Sequence, residues 1–158
     1  SPEEGSELGY GQKIATEAHG NTRNNSLFRY QIQGGVDMLK EEELSYAIRG
    51  CVYEVFRELG FGFLEKVYEN ALIKELRLQG LDAASQVPIK VHYKNAIVGE
   101  YFADVVVENS VILELKAQQQ LSTVHEAQLL NYLKATDARI GMLVNFAYPR
   151  ATVKRYVI

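Results

Sequence analysis

Two stretches in the first half of the chain repeat apolar residues with the period of an α-helix. In the first stretch, which begins with three consecutive glutamates, the apolar positions are Leu44, Ile48, Cys51, Val52, Val55 and Leu59. Acidic residues in a first turn stabilise the positive end of the helix dipole, and Gly60 supplies a stop signal. A second amphipathic pattern precedes Gly80. The pattern therefore predicts two consecutive helices over residues 41–59 and 64–79.

The hydrophobic period changes from helical to alternating after the second helix. Residues 87–93 alternate apolar side chains with more polar ones, as in a strand with one buried face. Pro88 favours an edge strand, since proline has no backbone N–H to donate to a neighbour. Two strongly apolar strands follow after short turns, one ending at residues 103–107 and the other spanning 111–116. These three segments predict an antiparallel meander.

The last part of the chain combines one helical pattern with two strand patterns. A helix is predicted from about Thr123 to Lys134, with Thr123 and Glu126 in the spacing of a capping box. An apolar strand is predicted at 140–146 and a final one at 153–158. The order is helix, helix, three-stranded antiparallel meander, helix, strand. It predicts an α/β fold in which a mixed sheet is flanked by helices.

The first 37 residues differ from the rest, since they are polar, Gly-rich and without a sustained period. We expect residues 1–37 to be a flexible N-terminal arm or extension, and residues 38–158 to be the folded domain. No apolar run approaches the roughly 18–20 residues that cross a bilayer, so no membrane partner is expected. A single cysteine, Cys51, excludes an internal disulfide framework and favours a cytoplasmic location.

The charge balance argues against a protein that coats nucleic acid by general attraction. The net charge is −3 and the pI is about 5.7, whereas such proteins are strongly basic. An enzyme that grips phosphates locally is not excluded by this balance, because acidic metal ligands themselves lower the pI.

Candidate chemistry lies in the two most apolar strands, which carry Asp104, Glu114 and Lys116. Glu114 and Lys116 are two residues apart and therefore project from the same face of a strand. If residues 108–110 form a three-residue hairpin loop, Asp104 lies directly opposite Glu114, with Cβ atoms about 4.5–5.5 Å apart. A loop longer or shorter by one residue would break this pairing.

Two facing carboxylates in a water-poor sheet repel each other, and one of them would be driven to keep its proton. A divalent cation removes this conflict, and carboxylate oxygens suit Mg²⁺ or Mn²⁺. The cation can activate a water for attack on a phosphate, and Lys116 could orient that water or stabilise the developing charge. The alternative is an exposed Glu114–Lys116 pair on a solvated face, which would contribute almost nothing. The apolar context of both strands favours a site.

Polar residues on two predicted helices could complete such a site. Gln128 and Tyr132 lie on one helical face and could hold a substrate phosphate or position Lys116, although a solvated polar stripe has the same spacing. Glu65 falls in the first turn of its helix, where the dipole alone favours a carboxylate. It could also reach the metal as a third acidic ligand, directly or through water.

Several motifs in one order resemble the GxxExxY proteins, a group placed in the PD-(D/E)XK nuclease superfamily. They are Gly62-x-x-Glu65-x-x-Tyr68, Gln86-Val87-Pro88, Gly99-Glu100-Tyr101-Phe102-Ala103-Asp104, Glu114-Leu115-Lys116-Ala117, the run from His125 to Leu133, and Asn145-Phe146. The resemblance covers residues 41–158. It implies a restriction-endonuclease-like core. One departure is Phe102, where relatives commonly carry arginine.

By this resemblance Asp104, Glu114 and Lys116 form the active-site set of the superfamily, and Glu65 is the acidic residue that many such nucleases add from the first helices. Gln128 and Tyr132 correspond to the Gln-x-x-x-Tyr element of RecB-type nucleases.

The resulting hypothesis is a Mg²⁺- or Mn²⁺-dependent nuclease that hydrolyses phosphodiester bonds in DNA by a metal-activated water. Asp104, Glu114, the Leu115 carbonyl and Glu65 would bind the metal. Lys116 would serve the attacking water, and Gln128 with Tyr132 would place the substrate. A homodimer would help so small a chain span a duplex. The alternative hypothesis is a catalytically weak, nuclease-like module for nucleic-acid binding or protein assembly.

Overall fold

The computed structural model describes residues 38–158, and in this range three helices flank a five-stranded mixed sheet. The predicted arm, residues 1–37, lies outside the described residues. The helices are α1 (Met38–Leu59), α2 (Glu65–Leu78) and α3 (Thr123–Ala135). The strands are β1 (Ala83–Tyr93), β2 (Ala96–Val107), β3 (Val111–Lys116), β4 (Ile140–Asn145) and β5 (Thr152–Val157). No helix of the described range is long and apolar enough to cross a membrane.

The strands follow one another across the sheet in chain order, β1-β2-β3-β4-β5. Every neighbouring pair is antiparallel except β3 and β4, which are parallel and are joined through α3. The predicted α/β class, the antiparallel meander and the mixed sheet are confirmed. Pro88 lies on β1, an edge strand, as its missing N–H requires.

The sheet separates two hydrophobic cores, and β3 contributes to both by strict alternation. Val111, Leu113 and Leu115 pack with the apolar faces of α1 and α2, whereas Ile112 packs with α3. All six residues of β3 except Lys116 are buried. A strand covered on both sides explains why its sequence is a nearly continuous apolar run.

The loop between β2 and β3 sets the register on which the predicted site depends. Val107 pairs with Val111, so residues 108–110 form the three-residue loop that the sequence predicts. Glu108 and Asn109 adopt positive φ angles of 52° and 51°. Glu108 also fixes the loop to the segment between α2 and β1, because its N–H donates to the Asp82 carbonyl at 2.8 Å and its carboxylate accepts the Asp82 N–H at 2.9 Å.

The predicted capping box of α3 is wrong by one residue. Thr123 already has helical backbone, and the cap is Ser122, whose N–H donates to Nδ1 of His125 at 3.3 Å. Glu126 is not available for the cap because it is bound to β5. Its carboxylate pairs with Lys154 at 2.8 Å and accepts the Tyr156 hydroxyl.

Gly141 allows α3 to pack closely on β4, and alanine there should destabilise the protein. A Cβ at this position would lie 2.9 Å from Cδ1 of Leu129 and 3.1 Å from Cδ1 of Leu133. We expect Gly141→Ala to lower the free energy of unfolding by about 1–3 kcal/mol in urea titrations. Gly50→Ala is the control, because Gly50 lies in α1 with open space around it. It should raise stability by about 0.5–1 kcal/mol. Equal effects of the two changes would contradict this account.

Candidate active site

The candidate site lies where β2 and β3 part. Their ladder of backbone hydrogen bonds ends at the pair Val105–Leu113. Beyond this pair, two side-chain carboxylates accept the hydrogen bonds of backbone N–H groups. The Leu115 N–H donates to Oδ2 of Asp104 at 2.8 Å, and the Asp104 N–H donates to Oε1 of Glu114 at 3.3 Å. Each carboxylate thus accepts a backbone N–H on the facing strand. Asp104 and Glu114 thus meet in the register that the loop length predicts, through a hydrogen bond from backbone to side chain and not as a ladder pair.

The two strands separate beyond these carboxylates and leave a V-shaped opening. Residues 114–116 of β3 pair with β4, with Lys116 opposite Asn145, whereas β2 continues only with β1. Asp104 and Glu114 therefore lie at the apex of the opening, one on each arm, and Lys116 follows on the β3 arm.

Burial makes these carboxylates resist ionisation. The side chain of Glu114 belongs to a residue only 4% exposed, and this burial, followed by the charge of Asp104, raises its pKa to about 8. Burial also raises the pKa of Asp104, against the lowering effect of the Leu115 N–H. The charge of Lys116 lowers the pKa of both groups. Lys116 therefore acts on the same site, as its spacing predicts.

A third acidic residue, Glu69 on α2, approaches the pair through an amide. Nε2 of Gln86 donates to both carboxylate oxygens of Glu69, at 3.2 and 3.1 Å, and lies 3.5 Å from Oδ1 of Asp104. Lys66 also pairs with Glu69 at 3.0 Å. Glu69 is 4% exposed, and its charge raises the pKa of Asp104. The sequence interpretation missed both Glu69 and Gln86.

Glu65 does not join this cluster. Its side chain is exposed in the first turn of α2, and none of the hydrogen bonds or ion pairs found within residues 38–158 connects it with Asp104 or Glu114. The physical reason is position along the helix. Glu65 shares the face of Glu69, Leu72 and Leu76, but it is the first residue of α2 and its side chain is exposed there, one turn before the buried part of that face begins. The periodicity of the two leucines was the signal that could have found Glu69.

Gln86 marks a change of face in β1 and β2 together. Ala83 packs in the core of α1 and α2, whereas Val87 and Ile89 pack in the core of α3, although all three have odd numbers. On β2 the switch falls between Ala103 and Val105. Gln86 itself has φ of 51°, a conformation that costs a non-glycine residue about 1–2 kcal/mol.

The consequence of this switch is the position of Asp104. The pairs Ser85–Val105 and Val87–Ala103 flank it, and the expected pair between Gln86 and Asp104 is absent from the ladder of β1 and β2. The carboxylate of Asp104 accepts the Leu115 N–H of the other neighbouring strand, β3.

The end of β3 is held by the residue opposite Lys116. Asn145 is 6% exposed, and its side chain accepts the Gln118 N–H at 3.0 Å and donates to the Gln118 carbonyl at 2.7 Å. The Phe146 N–H donates to the Lys116 carbonyl at 2.8 Å. These bonds fix the backbone from which Lys116 extends, and give a physical reason for the Asn145-Phe146 motif.

Helix α3 supplies a phenol hydroxyl to the same site. Tyr132 is 4% exposed, and burial, followed by the charge of Glu114, raises its pKa to about 12. Nε2 of Gln128 donates to the Tyr132 hydroxyl at 2.8 Å. Since the hydroxyl accepts from Gln128, its own proton remains free to donate to an incoming group. The structure therefore places Tyr132 where the charges of Glu114 and Asp104 affect its hydroxyl, with Gln128 hydrogen-bonded to it; their role in substrate binding stays a prediction.

The donor set suits a hard divalent cation with water ligands. Asp104 and Glu114 offer carboxylate oxygens. Burial, followed by the charge of a neighbouring carboxylate, raises the pKa of each, and a bound cation would favour their ionised forms. Among residues 38–158 no group of three or more His, Cys, Asp or Glu side chains is arranged to hold a metal. Mg²⁺ is commonly bound by one or two carboxylates together with waters and substrate phosphates, so two carboxylates fit it.

Comparison with known proteins points to one superfamily. A sequence model of the PD-(D/E)XK nuclease superfamily matches residues 42–156. The narrower GxxExxY assignment stays a prediction. No curated protein matches the chain. Among solved structures, the crystal structure of SSO0001 is similar over 75% of this chain, with 18% identity and a TM-score of 0.46. This chain spans 60% of that one.

The raised pKa of Glu114 predicts how stability depends on pH in metal-free protein. Between its ordinary value of about 4.5 and about 8, the folded state keeps a proton that the unfolded chain releases. The free energy of unfolding should therefore fall as pH rises through this window, by up to a few kcal/mol. Urea titrations with a chelator at about pH 5, 6.5 and 8, which span that window, measure the fall in the free energy of unfolding.

Glu114→Gln removes the titrating group and should make this pH dependence shallower. Glu43→Gln, at an exposed glutamate of α1, should follow the wild-type profile. Indistinguishable profiles for Glu114→Gln and the wild type would show that Glu114 does not keep its proton in the folded state.

Proposed function

The chain belongs to the PD-(D/E)XK nuclease superfamily, and we propose that it is a Mg²⁺- or Mn²⁺-dependent nuclease that hydrolyses phosphodiester bonds in DNA. The observation that carries this proposal is the facing pair of a partly buried Asp104 and a buried Glu114 at the parting of two strands, with Lys116 two residues after Glu114 on the same strand. A protein without use for a cation gains little from two adjoining carboxylates whose burial raises the pKa of both.

Asp104 and Glu114 would hold the cation, with the Leu115 carbonyl as a further oxygen ligand. When bound, Mg²⁺ supplies Lewis-acid chemistry: it lowers the pKa of a water and offsets negative charge on the phosphate. The Lys116 ammonium orients the attacking water and stabilises the charge that develops on the phosphoryl oxygens. The water gives up a proton to solvent and its oxygen forms a bond to phosphorus. The bond from phosphorus to the leaving oxygen breaks, and that oxygen takes up a proton from solvent.

Gln128 and Tyr132 would place the substrate phosphate. Gln128 holds the Tyr132 hydroxyl as an acceptor, which leaves the phenol proton to donate to a phosphate oxygen. Because the pKa of Tyr132 is raised to about 12, the phenol remains a donor at neutral and moderately alkaline pH.

The acidic residue that α2 contributes to the site is Glu69 instead of Glu65, and its contribution is indirect. It acts through Gln86, whose amide nitrogen lies between the carboxylates of Glu69 and Asp104. Glu69 is therefore a positioning residue, which orients Gln86 and adds negative charge beside the metal ligand.

The activity itself is tested by cleavage of single-stranded, duplex and branched DNA with Mg²⁺ or Mn²⁺. We expect cleavage that a chelator abolishes. Asp104→Asn, Glu114→Gln and Lys116→Met should each reduce the rate by about 100-fold or more, since each removes a ligand or a charge-stabilising group. Glu43→Gln, on exposed α1 surface, should cleave as the wild type does. A folded wild type that cuts none of these substrates contradicts the proposal and favours a nuclease-like binding module.

Glu69 and Glu65 offer a matched pair, one helical turn apart on α2. Glu69→Gln should raise the Mg²⁺ concentration for half-maximal cleavage by about 10- to 100-fold, as the loss of groups that support a metal ligand does. Cleavage at saturating Mg²⁺ should change much less. Glu65→Gln should alter neither quantity, because its side chain is exposed. If Glu65→Gln shifts the Mg²⁺ requirement and Glu69→Gln does not, the original assignment to Glu65 is correct.

A further inference from the structure

An exposed aromatic ring stands beside the catalytic residues, on the β2 arm of the opening. Tyr101 is 48% exposed and lies three residues before Asp104, which is about 10 Å along a strand. Its ring centroid is 5.6 Å from that of Tyr132, at an interplanar angle of 45°. Tyr132 in turn belongs to one core with Ala103, the residue before Asp104, and with Ile112, two residues before Glu114 on β3. The ring of Tyr101 therefore continues the surface of the active site.

The backbone around Tyr101 leaves this ring accessible from the opening. Strand β2 pairs with β3 only at residues 105–107, so its part before Asp104 has β1 on one side and no strand on the other. One part of the ring packs on Tyr132, and the rest faces solvent.

The charge of the chain restricts how such a site can hold DNA. The net charge is −3, and three acidic residues, Glu69, Asp104 and Glu114, lie at the opening. Attraction to many phosphates, which supplies most of the affinity of basic DNA-binding proteins, is therefore weak here. Stacking of bases on aromatic side chains contributes about 1–3 kcal/mol per base and needs no net positive charge.

We propose that Tyr101 stacks on a nucleobase next to the scissile phosphate, and that the substrate is therefore single-stranded DNA. This inference rests on the proposed nuclease function and names its substrate class. A base inside a duplex already stacks on its neighbours and shows only its edges in the grooves, so an aromatic ring can stack on it only after unstacking them, at a cost of a few kcal/mol per step that an unpaired strand avoids.

An exposed tyrosine is not remarkable by itself, since surfaces carry many single apolar side chains. What distinguishes Tyr101 is its contact with a residue of the catalytic cluster. Tyr53 is also 48% exposed, but it lies on α1 beside Phe56 and Thr152. The chain thus offers a control of the same residue type and the same exposure.

The test is binding, measured by fluorescence anisotropy with Mg²⁺ in the Lys116→Met background, which suppresses cleavage. Three probes are compared: a labelled oligothymidylate, the same strand in duplex with oligoadenylate, and an abasic strand that keeps the phosphates and lacks the bases. We expect the oligothymidylate to bind more tightly than the other two. Tyr101→Ala should weaken its binding by about 5- to 150-fold, the equivalent of one lost stack, and bring it near the abasic strand.

Tyr101→Phe, which keeps the ring, and Tyr53→Ala should bind the oligothymidylate as the parent does. A second measurement uses the cleaving protein, in which Tyr101→Ala should raise KM for the single strand with little change in kcat.

Several results would overturn the inference. Equal or tighter binding of the duplex would do so, as would unchanged oligothymidylate affinity in Tyr101→Ala, or the absence of binding in a folded protein. If Tyr101→Ala weakens the binding of the abasic strand by a similar factor, Tyr101 only supports Tyr132. If Asp104-dependent cleavage persists in any of these cases, the proposed function stands and the stacking fails. If Tyr101-dependent binding appears without cleavage by the wild type, the stacking stands and the proposed function fails.

Discussion

The molecule depends on one exchange of hydrogen bonds at the point where β2 and β3 part. Two backbone N–H groups, of Asp104 and Leu115, are bonded by carboxylates from the facing strands instead of by carbonyls. The carboxylates replace the carbonyl partners that these two N–H groups lose where the strands part. The same hydrogen bonds hold both carboxylates at one place. The exchange also confines them where water is scarce, which raises the pKa of each. Backbone hydrogen bonds thus hold the two carboxylates together, although burial and the charge of Asp104 disfavour the ionised form of Glu114.

The rest of the fold keeps this arrangement in register. The three-residue loop 108–110 places Asp104 opposite Glu114, and Glu108 fixes that loop to the chain after α2. On the other side, β4 pairs with the part of β3 that β2 has left, and Asn145 holds the backbone after Lys116. Gln86 has a strained backbone conformation, and its side-chain amide lies between Glu69 and Asp104. Strain of this kind persists only where the surrounding structure fixes it, which is common at functional sites.

Periodicity was sufficient to predict the elements and the central pair, because burial of one helix face or one strand face imposes a regular spacing. Asp104, Glu114 and Lys116 followed from a loop of fixed length, and Gln128 with Tyr132 from the face of a helix. Periodicity could not predict Gln86, since the switch of faces in β1 and β2 is a break in the very pattern on which the argument depends. Glu69 could have been predicted from the sequence, because it shares the stripe of Leu72 and Leu76. The glutamate in the first turn, Glu65, matched a known motif and was chosen instead. The cap of α3 differs by one residue because contacts with β5 decide where Glu126 lies.

Whether Asp104 and Glu114 together hold a divalent cation is measured by calorimetric titration of the folded, metal-free protein with Mg²⁺ and Mn²⁺. We expect saturable binding that Asp104→Asn and Glu114→Gln each abolish and that Tyr53→Ala leaves unchanged. Binding that survives the loss of both carboxylates would show that the cation lies elsewhere. The absence of binding by the folded wild type, alone and with single-stranded DNA present, would show that the carboxylates hold no cation.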